Sequence, residues 1–340
     1  MRAAVELVLL DRNNLKSLEV DQRMLQWRYT GPHIKLEASK ARRVHSHDYE
    51  VNCLSWQPGK EVLASGSEDR SVKVWKDDGG DGGDSQQINY GGGVICLDWS
   101  ARGDLAVGCE GGEAAVWRGG RTRVDLKGHT SNISVIKYSK DGNLVATAAS
   151  FGVMVSVWET TTGRLVRTVN SGSSVSALAW TGQTFFTGGQ NGQIQQWGLD
   201  SDEATLDIQG HRVQVNSLDY EPSSALLASG SSDQTVIVQK VNFTSTPAPL
   251  HTLTGHISDV YEVKFSPSDP HILATCDIGG EVRLWDAHSG NCIHIFQNGF
   301  CGALYLSREN YINFSPDGKL LACCGNEVKV FRVASGQVII

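Results

Sequence analysis

A repeat runs through the whole chain and constrains its fold more than any other feature. Segments of alternating apolar residues recur every 39 to 48 positions along the 340 residues and, with one exception, end in an aromatic residue. These segments end at Trp27, Trp75, Trp117, Trp158, Trp197, Gln239, Trp285 and Phe331. A second series of apolar segments precedes the last seven and ends at Trp56, Trp99, Tyr138, Trp180, Tyr220, Phe265 and Phe314. Self-similarity at such a period is typical of repeat architectures.

Each unit has the pattern of four short strands. Two apolar strands and an alternating strand are followed by a further strand, such as LVRTV (165–169) or CIHIF (292–296). Turns such as SKDGN and SPDGK supply the Asp-Gly geometry of tight hairpins. Four strands in about 40 to 45 residues is the period of a β-propeller blade. The sequence therefore predicts an all-β propeller whose sheets stack around a central axis.

Three marks of these units resemble the WD-repeat family. The first is a Gly-His dipeptide nine residues before the first aromatic, at residues 128–129, 210–211 and 255–256, with Ser46-His47 as a variant. The second is an aspartate six residues before the second aromatic, at Asp21, Asp69 and Asp233, replaced elsewhere by Asn191 and Gly279. The third is that second aromatic itself. The resemblance covers residues 41–340 and, more faintly, residues 1–40.

The number of blades depends on the N-terminal segment. Asp21 and Trp27 keep the six-residue offset of Asp69 and Trp75, so residues 1–40 are interpreted as a degenerate first blade. The preferred architecture is a single eight-bladed WD-repeat propeller over residues 1–340, with seven recognisable repeats in 41–340. The alternative has seven blades, with residues 1–40 as an N-terminal strand extension and residues 41–46 completing the final blade.

The family resemblance also implies a structural hydrogen-bond network in each blade. In it an aspartate orients a histidine, the histidine reaches a serine or threonine, and that hydroxyl contacts an indole N–H. The corresponding positions are His47, Ser65, Asp69 and Trp75; His129, Thr147 and Trp158; His211, Ser229 and Asp233; and His256, Thr275 and Trp285. A fully satisfied buried network of this kind stiffens a small sheet.

The same Ser, His and Asp residues are also the components of a hydrolase. A catalytic triad should occur once, with its nucleophile on a strained turn, whereas these sets recur in several units. The chain has no G-x-S-x-G segment, Walker loop or HExxH motif. The repetition therefore favours architecture over catalysis, and we expect no enzyme activity, no catalytic residues, no bound metal and no cofactor.

Composition narrows the function classes further. The net charge of -7 disfavours a protein that coats nucleic acid, because phosphate binding needs a basic field. The eight cysteines form no CxxC pair and mostly lie in apolar runs, which is typical of reduced, buried thiols. The apolar start AAVELVLL is short and contains Glu6, so it is interpreted as a strand. We expect an intracellular protein, nuclear or cytoplasmic, with no membrane partner.

The resemblance places a binding surface at one end of the central channel. In propellers of this kind that end is ringed by the residues before each first strand and by the turn before each third strand. Aromatic and arginine side chains suit interface anchors. The candidate partner-binding residues are Tyr49, Glu68, Phe151, Gln190, Arg212, Ser232, Asp259 and Ile278.

Blade order is similar to that of the transducin-beta-like corepressor subunits. The resemblance implies an eight-bladed nuclear scaffold in a histone deacetylase complex, with corepressor segments and histone tails as partners. None of the 340 residues matches the N-terminal dimerising helices of those proteins, so their tetramer is not carried over.

One alternative function is that of a substrate receptor of a cullin ubiquitin ligase. It is disfavoured because Trp285-Asp286 is followed by Ala287 and His288 rather than an arginine. A propeller enzyme is the third alternative.

Overall fold

In the computed structural model the repeat units fold as separate antiparallel sheets. The structure describes residues 47–49, 51–60, 62–76, 86–241, 248–296, 312–315, 317–324 and 328–334. In these residues 27 strands form seven sheets, six with four strands and one with three. The prediction of an all-β, propeller-like fold is therefore confirmed. Residues 1–46, which contain Asp21, Trp27 and the expected extra blade, lie outside the described residues.

The first four sheets account for 16 strands. Sheet 1 contains β1 (Val51–Trp56), β2 (Val62–Ser67), β3 (Ser71–Lys76) and β4 (Gln86–Asn89). Sheet 2 contains β5 (Val94–Trp99), β6 (Leu105–Cys109), β7 (Ala114–Arg118) and β8 (Thr122–Asp125), with a 3-10 turn at Glu110–Gly112. Sheet 3 contains β9 (Ile133–Tyr138), β10 (Leu144–Ala149), β11 (Met154–Glu159) and β12 (Leu165–Asn170). Sheet 4 contains β13 (Val175–Trp180), β14 (Phe185–Gly189), β15 (Gln193–Trp197) and β16 (Leu206–Gln209).

The other three sheets follow the same order. Sheet 5 contains β17 (Val215–Glu221), β18 (Leu226–Ser231), β19 (Val236–Lys240) and β20 (Pro249–Leu253). Sheet 6 contains β21 (Val260–Phe265), β22 (Ile272–Asp277), β23 (Val282–Asp286) and β24 (Cys292–Phe296). Sheet 7 contains β25 (Ile312–Phe314), β26 (Leu320–Cys324) and β27 (Val328–Arg332). Apart from Trp27, which lies outside the described residues, the two series predicted from the sequence lie on the first and third strands of these sheets.

Consecutive sheets pack through their first and second strands. The first strand of each sheet contacts the first strand of the next, from β1 with β5 through to β21 with β25. The second strand of each sheet also contacts the first strand of the next, as β2 does with β5 and β18 with β21. The first strands therefore line a shared axis, and the later strands of each sheet lie progressively further from it.

The hydrophobic core is divided between neighbouring sheets. Six clusters of buried residues are found in the described part of the chain, and each is shared by two consecutive sheets. Between sheets 3 and 4, for example, Phe185 and Trp197 pack against Val135 and Val157. Full burial of one such side chain contributes roughly 1.5–3 kcal/mol. Since neither sheet can bury this surface alone, each depends on its neighbour.

Polar side chains also link successive first strands. The second residue of a first strand donates a hydrogen bond to the main-chain carbonyl of the first residue in the next one. These bonds join Asn52 to Val94 (2.9 Å), Ser134 to Val175 (3.5 Å), Ser176 to Val215 (2.6 Å) and Asn216 to Val260 (2.9 Å). The first strands are consequently held side by side in a common direction.

Among the five cysteines whose side chains the structure describes, burial follows the sequence prediction with one exception. Cys53, Cys96, Cys109 and Cys276 are buried free thiols, whereas Cys292 on the outer strand β24 is exposed. In the described ranges, no helix has the length and apolar character needed to cross a membrane.

Candidate protein-interaction face and the networks beneath it

Sheets 1 and 5 contain histidine networks with nearly the same geometry. In sheet 1, His47 Nδ1 lies 2.8 Å from Asp69 Oδ2, and His47 Nε2 lies 2.7 Å from the Ser65 hydroxyl. In sheet 5 the matching distances are 3.0 Å from His211 to Asp233 and 2.8 Å from His211 to Ser229. The side chain of Trp75, the fourth predicted member in sheet 1, lies outside the described residues.

Sheet 6 has the same network with a different aspartate. His256 Nδ1 lies 3.1 Å from Asp277 Oδ2, and His256 Nε2 lies 2.7 Å from the Thr275 hydroxyl. The Trp285 indole N–H donates to the Thr275 hydroxyl at 2.9 Å. The sequence rule pointed to Gly279, six residues before the tryptophan, and therefore missed Asp277. An acidic residue at the very end of β22 was the available signal.

His256, Asp277 and Glu281 are of a type and spacing that could hold a metal ion. Each already has protein partners. Asp277 Oδ1 accepts the Glu281 main-chain N–H at 2.9 Å, and Glu281 pairs with Arg283 Nε at 2.5 Å. These bonds account for the cluster as part of the sheet network.

Sheet 3 departs from this pattern in a way that affects the surface. His129 Nε2 contacts the Thr147 hydroxyl at 2.6 Å, and that hydroxyl accepts the Trp158 indole N–H at 2.7 Å. No carboxylate among the described residues lies within ion-pair distance of His129. Phe151 stands four residues after Thr147, the position that Asp69 holds relative to Ser65. There its φ is 60° and its side chain is 83% exposed.

In sheets 2 and 4 the tryptophan indole is hydrogen-bonded to a hydroxyl that no histidine contacts within the described part of the chain. The histidine motif in the sequence could not predict these bonds. Trp117 Nε1 donates to the Tyr90 hydroxyl at 2.6 Å, and Trp197 Nε1 donates to the Thr187 hydroxyl at 3.0 Å. In sheet 5, Gln239 replaces the indole and is buried, and neither atom of its side-chain amide has a hydrogen-bond partner among the described residues. Sheet 5 therefore lacks the indole-to-hydroxyl bond of sheets 3, 4 and 6.

The hydroxyls of these networks are inaccessible to a substrate. Ser65 and Thr147 are fully buried, Ser229 is 1% exposed, and Thr275 is fully buried. Each of them also contacts a histidine inside its own sheet. A nucleophile must be reachable at the moment of attack, so this repeated arrangement suits sheet stabilisation.

The eight candidate partner-binding residues lie at one end of the sheets. In an antiparallel sheet the first strand begins where the second ends and the third begins. The loop before a first strand and the loop between second and third strands therefore share one edge. Loops of these two kinds contain Tyr49, Glu68, Phe151, Gln190, Arg212, Ser232, Asp259 and Ile278. We call this surface the interaction face.

Exposed apolar side chains are concentrated on the interaction face. Phe151 is 83% exposed, Tyr49 66% and Ile278 40%. Three further residues that the sequence did not single out belong with them, Ile257 at 78%, Val213 at 43% and Val153 at 36%. Glu68, Gln190 and Arg212 are exposed polar neighbours, whereas Ser232 and Asp259 are half-buried. Apolar side chains rimmed by polar ones are typical of protein-binding surfaces.

Main-chain hydrogen bonds hold the loops of the interaction face in place. In sheets 2 to 6 a main-chain N–H of the loop between second and third strands donates to a carbonyl of the loop before the first strand. The pairs are Glu110 to Gly93 (2.9 Å), Ser150 to Asn132 (2.7 Å), Gln190 to Ser174 (2.9 Å), Ser232 to Gln214 (3.0 Å) and Ile278 to Asp259 (2.9 Å). The side chains are thus presented on an ordered backbone, which lowers the entropy cost of binding.

The buried histidines predict a fall in stability at mildly acidic pH. Burial lowers the pKa of His47, His129 and His211 below 6.5, and the neighbouring aspartates only partly oppose this for His47 and His211. Below about pH 6.5 the unfolded chain then binds protons that the folded chain does not, so stability decreases as the pH falls.

We expect the melting temperature to drop by a few degrees between pH 7 and pH 5. Differential scanning calorimetry across that range would measure it. His129→Gln should have a shallower slope, because the His129 pKa is lowered by burial alone. A melting temperature that stays level or rises on acidification would contradict the assignment.

The stacked antiparallel sheets and their repeated networks define a propeller-like repeat protein with a ringed interaction face. The family model described as WD domain, G-beta repeat matches residues 39–76, 120–156, 203–238 and 247–286, and these four repeats belong to the WD40 family.

Named relatives are distant. The F-box-like/WD repeat-containing protein TBL1X of Mus musculus is 28% identical over 308 residues, covering 84% of this chain and 57% of its own length. TBL1Y of Homo sapiens is also 28% identical over 308 residues, with 84% and 58% covered. The cell division cycle 20.1 protein of Arabidopsis thaliana, a cofactor of the APC complex, is 28% identical over 63% of this chain and 49% of its own. This chain therefore spans a little over half the length of the TBL1 proteins, and their similarity confirms the resemblance predicted from the sequence.

Solved structures agree on the fold. The C-terminal WD40 domain of Sif2 superimposes with a TM-score of 0.68 at 19% identity, covering 83% of this chain and 81% of that one. The computationally designed Ika8 protein gives a TM-score of 0.69 at 23% identity, covering 88% and 89%.

Proposed function

We propose that this protein is a non-enzymatic scaffold that binds peptide segments of partner proteins on its interaction face. The observation that carries the proposal is the set of exposed apolar side chains Tyr49, Phe151, Val213, Ile257 and Ile278 at one end of the sheets. Large apolar side chains held by an ordered backbone are the usual anchors of protein interfaces. WD40 proteins typically act as protein-interaction scaffolds, which supports the same class of function.

Phe151 gives this proposal its sharpest support. Its position in sheet 3 corresponds to the network aspartates of sheets 1 and 5, where a carboxylate hydrogen-bonds to the buried histidine. In sheet 3 that stabilising contact is replaced by an aromatic ring that faces solvent. A left-handed φ of 60° is unfavourable for an aromatic residue, so the position combines a lost contact with backbone strain. Binding of a partner is the benefit that would offset both.

We further infer that the partners belong to a transcriptional corepressor assembly containing a histone deacetylase, with corepressor segments and histone tails as ligands, and that the protein acts in the nucleus. Similarity to TBL1X and TBL1Y over 84% of the chain supports this branch of the family. The net charge of -7 suits basic tails better than nucleic acid itself.

We also propose that residues 1–340 form a single eight-bladed propeller, with residues 1–40 as its degenerate blade. The support is the repeated offset between Asp21 and Trp27, which matches that between Asp69 and Trp75. Sheet 7 has three strands in the described residues, and in the seven-bladed alternative residues 41–46 complete it.

Affinity purification of the tagged full chain from its native cells, followed by mass spectrometry, tests the function. We expect recovery of a deacetylase together with its corepressor. Recovery of a cullin adaptor would instead assign the protein to the ubiquitin ligase receptors and overturn the corepressor branch.

A further inference from the structure

A cavity of about 570 Å³ lies at the opposite end of the first strands from the interaction face. It is lined by the last residues of β9, β13 and β17 and by the turns that follow them. Five charged side chains reach it: Asp98, Lys137, Lys140, Asp219 and Lys264. Its apolar lining is provided by the exposed Pro222 and the half-buried Trp180 and Tyr220, whereas Leu178 and Leu218 lie behind it in the core. The cavity therefore combines a charged rim with an apolar wall.

The charged residues come from two copies of one arrangement. Asp98 on β5 accepts the main-chain N–H of Tyr138 on β9 at 2.7 Å, directly after Lys137. Asp219 on β17 accepts the main-chain N–H of Phe265 on β21 at 2.7 Å, directly after Lys264. Each aspartate is therefore fixed to the neighbouring first strand by a main-chain donor. The strand between the two copies, β13, carries the small Ala179 at the equivalent position, which leaves room for the cavity.

The lysines are held near this cavity by long ion pairs. Lys137 Nζ lies 4.0 Å from Asp98 Oδ1, and Lys264 Nζ lies 3.7 Å from Glu262 Oε1. A charge-assisted hydrogen bond to a carboxylate is about 2.7–2.9 Å. An ammonium carries three N–H donors, so it can keep its carboxylate and bind an added anion at the same time.

Partial burial strengthens attraction to an anion at this place. The Lys137 and Lys264 side chains are 22% and 24% exposed, and Lys140 contributes a third, exposed ammonium at the rim. Burial also raises the pKa of the Asp98 carboxyl, although Lys137 and the Tyr138 N–H oppose the change. Coulomb attraction is several-fold stronger in such a partly desolvated site than in bulk water.

We propose that this cavity binds a small organic anion, with its phosphate or carboxylate head against Lys137, Lys140 and Lys264 and its apolar body against Trp180 and Tyr220. The volume lies within the roughly 300–1,000 Å³ range of small-ligand sites. The anion is either a free small molecule or an acidic or phosphorylated side chain presented by a partner segment. This site is separate from the interaction face, so the proposal gives the protein one binding site at each end of its first strands.

Isothermal titration calorimetry of the purified full chain with phenyl phosphate tests the site. Phenyl phosphate offers an anionic head and an aromatic body, and benzyl alcohol serves as the neutral probe. We expect saturable binding of phenyl phosphate that weakens with salt, and none of benzyl alcohol. A capped peptide with one phosphoserine distinguishes the sources, since tighter binding than phenyl phosphate identifies a partner segment and weaker binding identifies a small molecule.

Variants assign the binding to this cavity. Lys264→Gln and Lys137→Gln should each weaken phenyl phosphate binding at least tenfold, and Ala179→Leu should do so by filling the cavity while leaving every charge in place. Lys127→Gln, an exposed lysine in a loop of the interaction face, is the matched control and should bind like wild type. Because Ala179→Leu retains the ion pairs, it remains informative even where a lysine variant folds poorly.

Absence of saturable binding, or equal binding by wild type, Lys264→Gln and Ala179→Leu, would overturn the proposal. Either result leaves the proposed scaffold function intact, because partner capture depends on residues at the other end of the first strands.

Discussion

A double variant, Arg212→Glu with Tyr49→Ala, is expected to lose partner binding at least tenfold while keeping the wild-type melting temperature. Tyr49 is 66% exposed and Arg212 is exposed, so neither side chain belongs to the core. The Arg212 main-chain N–H bonds to Asp233 Oδ2 at 3.1 Å, and that contact survives the substitution. Truncation of an interface anchor typically costs more than 1 kcal/mol, and 1.4 kcal/mol is a tenfold change in affinity.

Quantitative affinity capture of wild type and variant, with calorimetry on the same preparations, measures both quantities. The matched control is Arg164→Glu with Leu165→Ala. Leu165 is 47% exposed at the start of the outer strand β12, and Arg164 precedes it, away from the interaction face. Undiminished recovery of all partners by the Tyr49 and Arg212 variant would show that binding does not use this face.

Asp277→Ala is expected to lower the free energy of unfolding by about 2–6 kcal/mol, because each of two buried donors left without an acceptor costs about 1–3 kcal/mol. Asp277 is fully buried, and its two oxygens accept from His256 and from the Glu281 main-chain N–H. Removal of the carboxylate leaves both donors without an acceptor in the interior of sheet 6. Hydrogen bonds from these donors also explain why the Asp277 pKa is lowered although burial opposes it.

Asp69→Ala should cost less, roughly 1–3 kcal/mol, because the Asp69 side chain is 9% exposed and water can partly replace it. Urea unfolding followed by tryptophan fluorescence would give the ranking. Asp207→Ala, an exposed aspartate on the outer strand β16, is the matched control and should change stability by no more than about 0.5 kcal/mol. A smaller effect for Asp277 than for Asp69 would contradict the role assigned to burial.

The periodicity of the sequence predicted most of the architecture, because the burial of each strand is reflected in its own pattern of apolar and polar residues. The aromatic series placed the first and third strands, and Asp-Gly turns such as 141–142 marked the hairpins between them. The blade count depends on residues 1–40, where only the Asp21 and Trp27 offset is available, so eight blades stays a prediction.

The candidate site was harder to predict because side-chain partners need not keep a fixed spacing. Asp277 performs in sheet 6 what Asp69 does in sheet 1, yet it lies on the strand instead of in the turn. Tyr90 and Thr187 hold indoles through chemistry that a histidine motif does not describe. Val213 and Ile257 resemble ordinary core residues in the sequence, and only their exposure in the folded protein distinguishes them. The partner-binding role of all eight predicted residues stays a prediction.

The links between first strands affect how the protein can be dissected. Asn52, Ser134, Ser176 and Asn216 each donate to the carbonyl of the next first strand, so a cut at any of these sheet boundaries removes one such hydrogen bond. The same cut opens an apolar cluster shared by two sheets. Although the sequence repeats resemble independent modules, a fragment of a few repeats does not keep the packing of the full protein. A domain boundary drawn inside residues 51–332 would therefore yield an aggregation-prone piece, and fusions or tags belong outside that span.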